Sequence, residues 1–544
     1  MNPLSLPWLE LSIAACLVGS PTISRLRDPG RTYRWSLAFT GASFVFAFLA
    51  WLGYYLGVSP ESIRAWSIQP YLFGRQLLAL DELSAPLVPA VALLHFLIAL
   101  ATARTHMRRY SFSWSLAAEA IRLATFSCKE PWVLIGLLTV ATIPPYVELL
   151  NRGRPTRVYV VHMVLFVGLL VIGWSAVEFG GISDGRTTWW ATVPLLAAIL
   201  VRCGTVPAHC WLTDWFENAS PGIALLYVTP LGGVYAAVRL VLPIGPGWVL
   251  QSIGLMSLAT AVYAAGMATI QREARRFFAH LFLSHSSLVL VGLELHSELS
   301  LTGCFSLWFS VILSLGGFGL TLRALEARFG RLSLTDYHGL YGHSPTLAVC
   351  FLLTGLGAVG FPLTLGFIST EMLVDSAVEA SPLVGIAVVA AAALNGIAVV
   401  RAYLLLFTGA RHVSTVFLGI GLRERIAALT LAALILGGGI YPQPGVASRQ
   451  RAATEVLRDR DDRRIARLSA EAAAKNLVRR DKPAEEGRVA ASPRRSTDRT
   501  SGSGRSSPRP LIPEARPDRH RGGGATRRSR PPGCRCRRRG SRAD

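Results

Sequence analysis

The stretch LVRCGTVPAHCWLTDWFENASPGIALLYVTPLGGVYAAVRLVL, residues 200–242, sets charged side chains inside an apolar run. Arg202 closes one apolar segment, Pro207 breaks it, and His209, Asp214 and Glu217 occupy a short polar turn. A second apolar segment follows and carries Arg239. A cation within a membrane-length apolar run costs roughly 2.5–3.5 kcal/mol on insertion scales, so such a residue marks a task. A helix broken at membrane depth frees backbone groups that only protein or a wet cavity can satisfy. Charge beside such a break is the chemistry of ion or proton movement across a membrane. The insertion cost also predicts that Arg202 is buried and paired with an acid, with Asp214 and Glu217 the nearest in sequence.

Two further stretches hold titratable groups. In HLFLSHSSLVLVGLEL, His280 and His285 are placed to relay protons, since imidazole titrates near neutrality. The plain alternative is that each hydrogen-bonds within a bundle. In GFPLTLGFISTEML, Pro362 and Gly366 mark a second break, and Glu371 and Asp375, four apart, share a helix face. An interior position would raise one carboxyl's pKa and let it carry protons; a position at the exit would leave both solvated. Arg401 lies in the apolar segment after these. The eight cysteines are scattered, and no CxxC pair or His/Cys cluster suggests a metal, so neither metal nor cofactor is expected.

The elements that must position these residues are membrane helices. The chain is 51% hydrophobic and 16% charged over 544 residues, with mean hydropathy +0.41, which points to a polytopic membrane protein. Its net charge of +22 misleads: 28 Lys and Arg against 12 Asp and Glu fall from Gly445 onward, leaving 27 against 21 in the apolar part. Nucleic acid is therefore not an expected partner. Fourteen runs reach spanning length: 4–23, 35–58, 83–103, 111–128, 132–150, 157–179, 188–206, 222–242, 246–270, 277–295, 301–322, 345–368, 382–407 and 425–441. Run 111–128 is the weakest, because Glu119 and Arg122 interrupt it; they lie near one helical face and could pair. The first run ends in Gly19-Ser20-Pro21 but lacks a charged leader, so it reads as a retained helix.

Basic loops at 25–34, 104–110, 151–157, 271–276 and 323–331 alternate with poorer ones at 129–131, 180–187, 243–245 and 296–300. Basic loops on the cytoplasmic side place both termini outside. After Tyr441 the character changes. Residues 446–478 read as a polar, short amphipathic helix, and 479–544 as an Arg-rich disordered tail with no assigned role. The implied division is 1–110 for N-terminal helices, 111–441 for a translocation core, 442–478 for the extension and 479–544 for the tail.

The central stretch resembles the antiporter-like subunits of respiratory complex I and of multisubunit sodium/proton (Mrp-type) antiporters. Pro207, His209, Trp211, Leu212, Asp214, Pro221, Gly233, Tyr235 and Arg239 match the family pattern, while Arg202 stands at a family lysine. The family's buried glutamate, about five residues before a proline, falls between Thr139 and Ala141, where there is no acid; Glu148, beyond Pro144 and Pro145, reads as a solvated end charge. His285 takes a family tyrosine, followed by Ser286 and Ser287, and the next helix has Ser306, Ser310 and Ser314 for histidines and a central lysine. Gly360, Pro362, Gly366 and Phe367 match the second broken helix, Thr370 replaces its lysine beside Glu371, and Arg401 matches a family arginine. The resemblance spans roughly residues 78–441.

The resemblance implies an all-α protein of about fourteen transmembrane helices with two inverted five-helix repeats, each holding a broken helix. It implies an integral subunit of a bacterial-type inner or plasma membrane, partnered by other membrane subunits and the lipid bilayer. The expected function is proton or cation translocation in an assembly of the NADH–quinone oxidoreductase type, with no redox site of its own. Two alternatives are a membrane subunit of an inorganic-carbon uptake complex with a soluble zinc partner, and a scaffold that conducts nothing. Arginine effectively never deprotonates, so a lysine-style relay cannot run unchanged at Arg202.

Overall fold

A computed structural model describes residues 3–59, 66–103, 107, 110–179, 182–183, 186–187, 189–295, 297–409 and 420–481. The tail from residue 482, with Cys534 and Cys536, most of the basic loop 104–110 and part of the loop 180–187 lie outside the described residues.

The described chain is helical apart from a two-residue antiparallel ribbon pairing Ile182 with Thr187 and Ser183 with Arg186. In order, the helices are α1 (Trp8–Ser24), α2 (Pro29–Tyr55), α3 (Gln69–Phe73), α4 (Leu87–Leu100), α5 (Phe112–Ser127), α6 (Pro131–Val140), α7 (Ile143–Asn151), α8 (Arg157–Glu178), α9 (Trp189–Cys203) and α10 (Cys210–Asn218). There follow α11 (Pro221–Val228), α12 (Gly232–Ala236, continued by a π turn over Ala237–Val241), α13 (Gly247–Ile270), α14 (Ala274–Glu294), α15 (Glu298–Phe329), α16 (Pro345–Val359), α17 (Leu365–Ala380), α18 (Pro382–Phe407), α19 (Leu422–Ile440) and α20 (Gln443–Asp481).

Local chemistry sets the boundaries. Pro29, Pro131, Pro221, Pro345 and Pro382 open helices, where a missing N–H costs nothing. The Asp28 carboxylate accepts from the N–H groups of Gly30 and Arg31 and caps α2. Gly360, at φ 94°, ends α16 in the left-handed region.

Among the described residues, eight helices, or nine counting the pair Leu422–Ile440 and Gln443–Arg463 bent by 80°, are long and apolar enough to cross a membrane. Four shorter apolar helices, α1, α4, α9 and α16, add to them. This is fewer than the fourteen full-length runs expected, because breaks shorten several. In run 345–368 the chain stops at Gly360 and restarts as α17, at the break that Pro362 and Gly366 mark, so the run is shared between two helices. The extension expected at 446–478 is longer, a 39-residue helix over Gln443–Asp481 that takes in the first residues assigned to the tail.

Burial sorts the helices. The most apolar windows of α14 and α15 are 94% buried, against 28% for α8, so α14 and α15 are central and α8 is peripheral. At 32 residues α15 is about 48 Å long, and it packs against α4, α11, α14, α16, α17 and α19. Both helix breaks are built around this centre.

Candidate functional site

At the first break the chain leaves α9, turns through Gly204–Pro207 and restarts as α10. The freed backbone is satisfied by side chains: the Trp211 indole N–H donates to the Val201 carbonyl (2.9 Å), and the Val206 N–H donates to Thr260 (3.0 Å). Arg202 is buried, as expected, but no acid pairs with it among the described residues; Glu217 holds Arg276 and Glu148 holds Arg152. Aromatic faces take the acid's place. The Arg202 guanidinium carbon lies 4.6 Å from the Tyr227 ring centre and 5.6 Å from that of Trp211. Arg122 lies 5.4 Å from the same Tyr227 ring and donates to the Tyr227 carbonyl (3.0 Å). The Tyr227 hydroxyl meets that of Tyr159 at 3.0 Å, and Tyr159 donates to Thr142 (2.9 Å). Desolvated cation–π contacts are worth about 2 kcal/mol each, enough to offset much of Arg202's insertion cost.

At the second break α16 ends and α17 begins against it. His285, on α14, is buried; its Nε2 lies 2.9 Å from the Ala358 carbonyl and its Nδ1 2.8 Å from that of Leu281. Both neighbours are acceptors, whereas a neutral imidazole has a single N–H. A protonated ring could donate to both carbonyls, and a neutral ring to only one. His280 differs: Nδ1 meets the Arg276 carbonyl at 2.9 Å, which a neutral ring satisfies. Ser310 and Ser314 have buried hydroxyls without hydrogen-bond partners, beside Gly366 and Gly357. Ser284 bridges Asn395 (2.8 Å) and the Ala261 carbonyl (2.9 Å).

A family model described as "NADH:quinone oxidoreductase/Mrp antiporter, TM" matches residues 161–395, which hold both breaks. The chain is 24% identical over 491 residues, 81% of its length and 90% of the relative's, to an NAD(P)H-quinone oxidoreductase chain 4 of Nostoc sp.. It is 28% identical to NADH-quinone oxidoreductase subunit 13 of Thermus thermophilus over 331 residues, 56% of this chain and 69% of that one. Among solved structures, a chain of the Mrp complex from Dietzia sp. superposes with TM-score 0.71 at 17% identity, covering 84% of this chain and 98% of that one. A chain of respiratory complex I from Thermus thermophilus superposes with TM-score 0.71 at 20% identity, covering 82% and 99%. The chain thus resembles the antiporter-like membrane subunits of complex I and Mrp complexes in both sequence and fold.

The other expected site residues fall into separate places. Arg239 binds Asp81, which also meets Lys129 at 3.0 Å. Burial pushes the Asp81 carboxyl up, but Arg239, Lys129 and bonds from Ser84 hold it well below the usual carboxylate range. Glu217 accepts from Arg276 at 2.8 and 3.0 Å. Asp214 is half-buried beside Asn218, and burial together with Glu217 raises its pKa. The His209 ring packs edge-on to Tyr263 at 5.5 Å. Arg401 donates to the carbonyls of Gln271 (3.3 Å) and Leu334 (3.2 Å), tying two loops together. Pro207 and Pro362 are exposed at the two breaks.

Two readings from sequence are corrected by the structure, and an open one is narrowed. Glu371 and Asp375 lie on the exposed face of α17, away from the buried hydroxyls. Glu148 is no solvated end charge: the bend between α6 and α7 turns it inward, 4% exposed, to bind Arg152 (2.8 Å) and the Ser220 N–H (3.3 Å). Glu119 and Arg122 do not pair, since Arg122 turns to Tyr227. Sequence reasoning missed Tyr227 and Tyr159 as carriers of the arginine cluster, and neighbours along the chain gave no signal for it.

Proposed function

We propose that this subunit translocates protons within a multisubunit membrane complex of the NADH–quinone oxidoreductase type, and that His285 carries the proton at the second break. The carrying observation is the His285 ring held between two carbonyl oxygens, an arrangement that changes its hydrogen bonding when a proton leaves. Losing the proton releases one carbonyl, either Ala358 at the end of α16 or Leu281. Arg202 at the first break holds a permanent charge and shapes the field along the axis without itself deprotonating.

The finer architecture belongs to the same proposal: about fourteen crossings with two inverted five-helix repeats, each centred on one break, and a translocation core over residues 111–441. Two breaks in corresponding halves and the similarity to antiporter-like chains support it. The partners are other membrane subunits, and the electron chemistry belongs to them.

The test is proton uptake by membrane vesicles bearing the assembled complex. His285→Gln should assemble normally and reduce uptake to near background, while His280→Gln should keep it. Wild-type uptake in His285→Gln would overturn the reading and leave the scaffold alternative standing.

A further inference from the structure

Far from both breaks in sequence, His95 in the middle of α4 and Glu119 in the middle of α5 face each other with no solvent-exposed surface. The His95 Nδ1 is 3.8 Å from a Glu119 oxygen, and among the described residues none of the four polar atoms has a well-formed hydrogen bond, with only the Ser43 hydroxyl and the Cys16 thiol close to the carboxyl. Other buried acids are held: Asp81 by Arg239 and Lys129, Glu148 by Arg152, Glu424 by Arg328. The pair lies outside the matched segment 161–395.

A bare carboxylate in such a place is prohibitively costly. The pair must therefore hold one proton between its members, as acid beside neutral imidazole or as carboxylate beside imidazolium. Both forms have the same composition and no net charge. The surroundings decide which way the count changes. Arg122 lies three residues after Glu119 on the same helix, and its Nε has no partner. Arg202 stands on the Tyr227 ring that Arg122 also faces. Two fixed cations oppose a second proton and favour loss of the first. Around the pair, α1 contributes Cys16, α2 only the Ser43 hydroxyl, and the segment before α5 contributes Tyr110. A further buried cation, Arg323 of α15, stands on the Tyr110 ring (5.3 Å) and binds the Ile98 carbonyl of α4 (3.0 Å).

We propose that His95 and Glu119 form a buried binding site for one exchangeable proton, whose release leaves a Glu119 carboxylate that Arg122 does not bond but whose charge its field offsets across His95. Only O–H and N–H bonds change: the proton leaves to water entering the site, and the imidazole N–H turns to the carboxylate. Through Arg122 and Tyr227 the charge of this site is felt at Arg202. The inference goes beyond the His285 reading and stands without it.

Infrared pH titration of the purified full-length chain tests it. The expected result is a protonated-carboxyl stretch that shifts in heavy water, titrates away as pH rises and is absent in Glu119→Gln. Arg122→Gln removes the compensating cation and should raise the midpoint by about one pH unit or more. His95→Leu removes the donor to the carboxylate and should move the midpoint the same way. These two variants keep the test open should Glu119→Gln fail to fold. No Glu119-dependent band at any pH, a band that never titrates, or a midpoint indifferent to Arg122 would each overturn the proposal. Because this readout needs no proton flux, a failed His285 test leaves it intact.

Discussion

The two helix breaks solve one problem with different side chains. Each stops a helix inside the bundle and leaves carbonyls near its C-terminus without an intrahelical donor. At the first break an indole answers, Trp211 to Val201; at the second an imidazole answers, His285 to Ala358, and both bonds measure 2.9 Å. An indole N–H is a donor at any working pH, while an imidazole near neutrality is not bound to be one. The first break also carries a charge that stays, Arg202 on two aromatic faces, whereas hydroxyls that do not titrate surround the second. The difference is one of chemistry: the first break is capped by a group that cannot titrate, and the second by one that can.

If the breaks differ in this way, their backbones should tolerate change differently, and the largest effect is expected at Gly366. A Cβ there would sit 1.9 Å from the Gly357 carbonyl oxygen, a backbone atom that cannot swing aside. Gly366→Ala should cost more than about 3 kcal/mol and force α16 and α17 apart. The first break's Gly204, at φ 71°, would give a Cβ only ordinary contacts at 3.6 Å or more, so Gly204→Ala should cost about 1–2 kcal/mol, the left-handed penalty alone. Thermal unfolding of the solubilised chain measures both. Equal losses would show that the second break is not the tighter one.

A smaller effect separates two strained leucines. Leu231, next to the Arg202 cluster in the first half, and Leu363, in the second break, both have positive φ, at 53° and 68°. Replacing either with glycine relieves about 1–2 kcal/mol of backbone strain. Leu363 is 66% exposed and loses little burial, so Leu363→Gly should gain up to about 1 kcal/mol. Leu231 is 7% exposed, and Leu231→Gly forfeits about 2 kcal/mol or more of packing, so its net effect should be a loss. A stabilised Leu231→Gly would mean that the chain beside the Arg202 cluster is loosely packed.

Much of this was legible in the chain. Apolar runs placed the helices, Pro207 and the Pro362–Gly366 segment marked the breaks, and the cost of a buried cation drew attention to Arg202. What the sequence hid was pairing across helices. The demand for a partner at Arg202 was sound, but rings met it where an acid was expected, because Tyr227 folds back from a helix 25 residues on. Glu148 seemed solvated because two prolines before it read as a helix end; they bend the helix and bring the acid onto Ser220. His95 and Glu119 stand 24 residues apart on runs read mainly for their apolar content. Nothing along the chain says that they meet.

The smallest expected effect is the one that sharpens the comparison most. Glu371 follows Thr370, the residue at the family lysine, and by sequence it is the natural heir to that lysine's charge. The structure puts it, with Asp375, on the exposed face of α17, while the partnerless hydroxyls of Ser310 and Ser314 lie buried near Gly366 and Gly357. A carboxylate facing hydrocarbon would be costly, so this face meets water or another subunit in the assembled complex. Glu371→Gln keeps the side chain's size and removes its charge. Surface substitutions of this kind shift energies by about 0.5 kcal/mol or less, so proton uptake should stay within about twofold of wild type. Uptake measured beside His285→Gln in the same vesicles decides between them. If Glu371→Gln stops the flux and His285→Gln does not, the moving charge runs along the outer face of α17 and the imidazole cradle is only a helix cap, as Trp211 is at the first break.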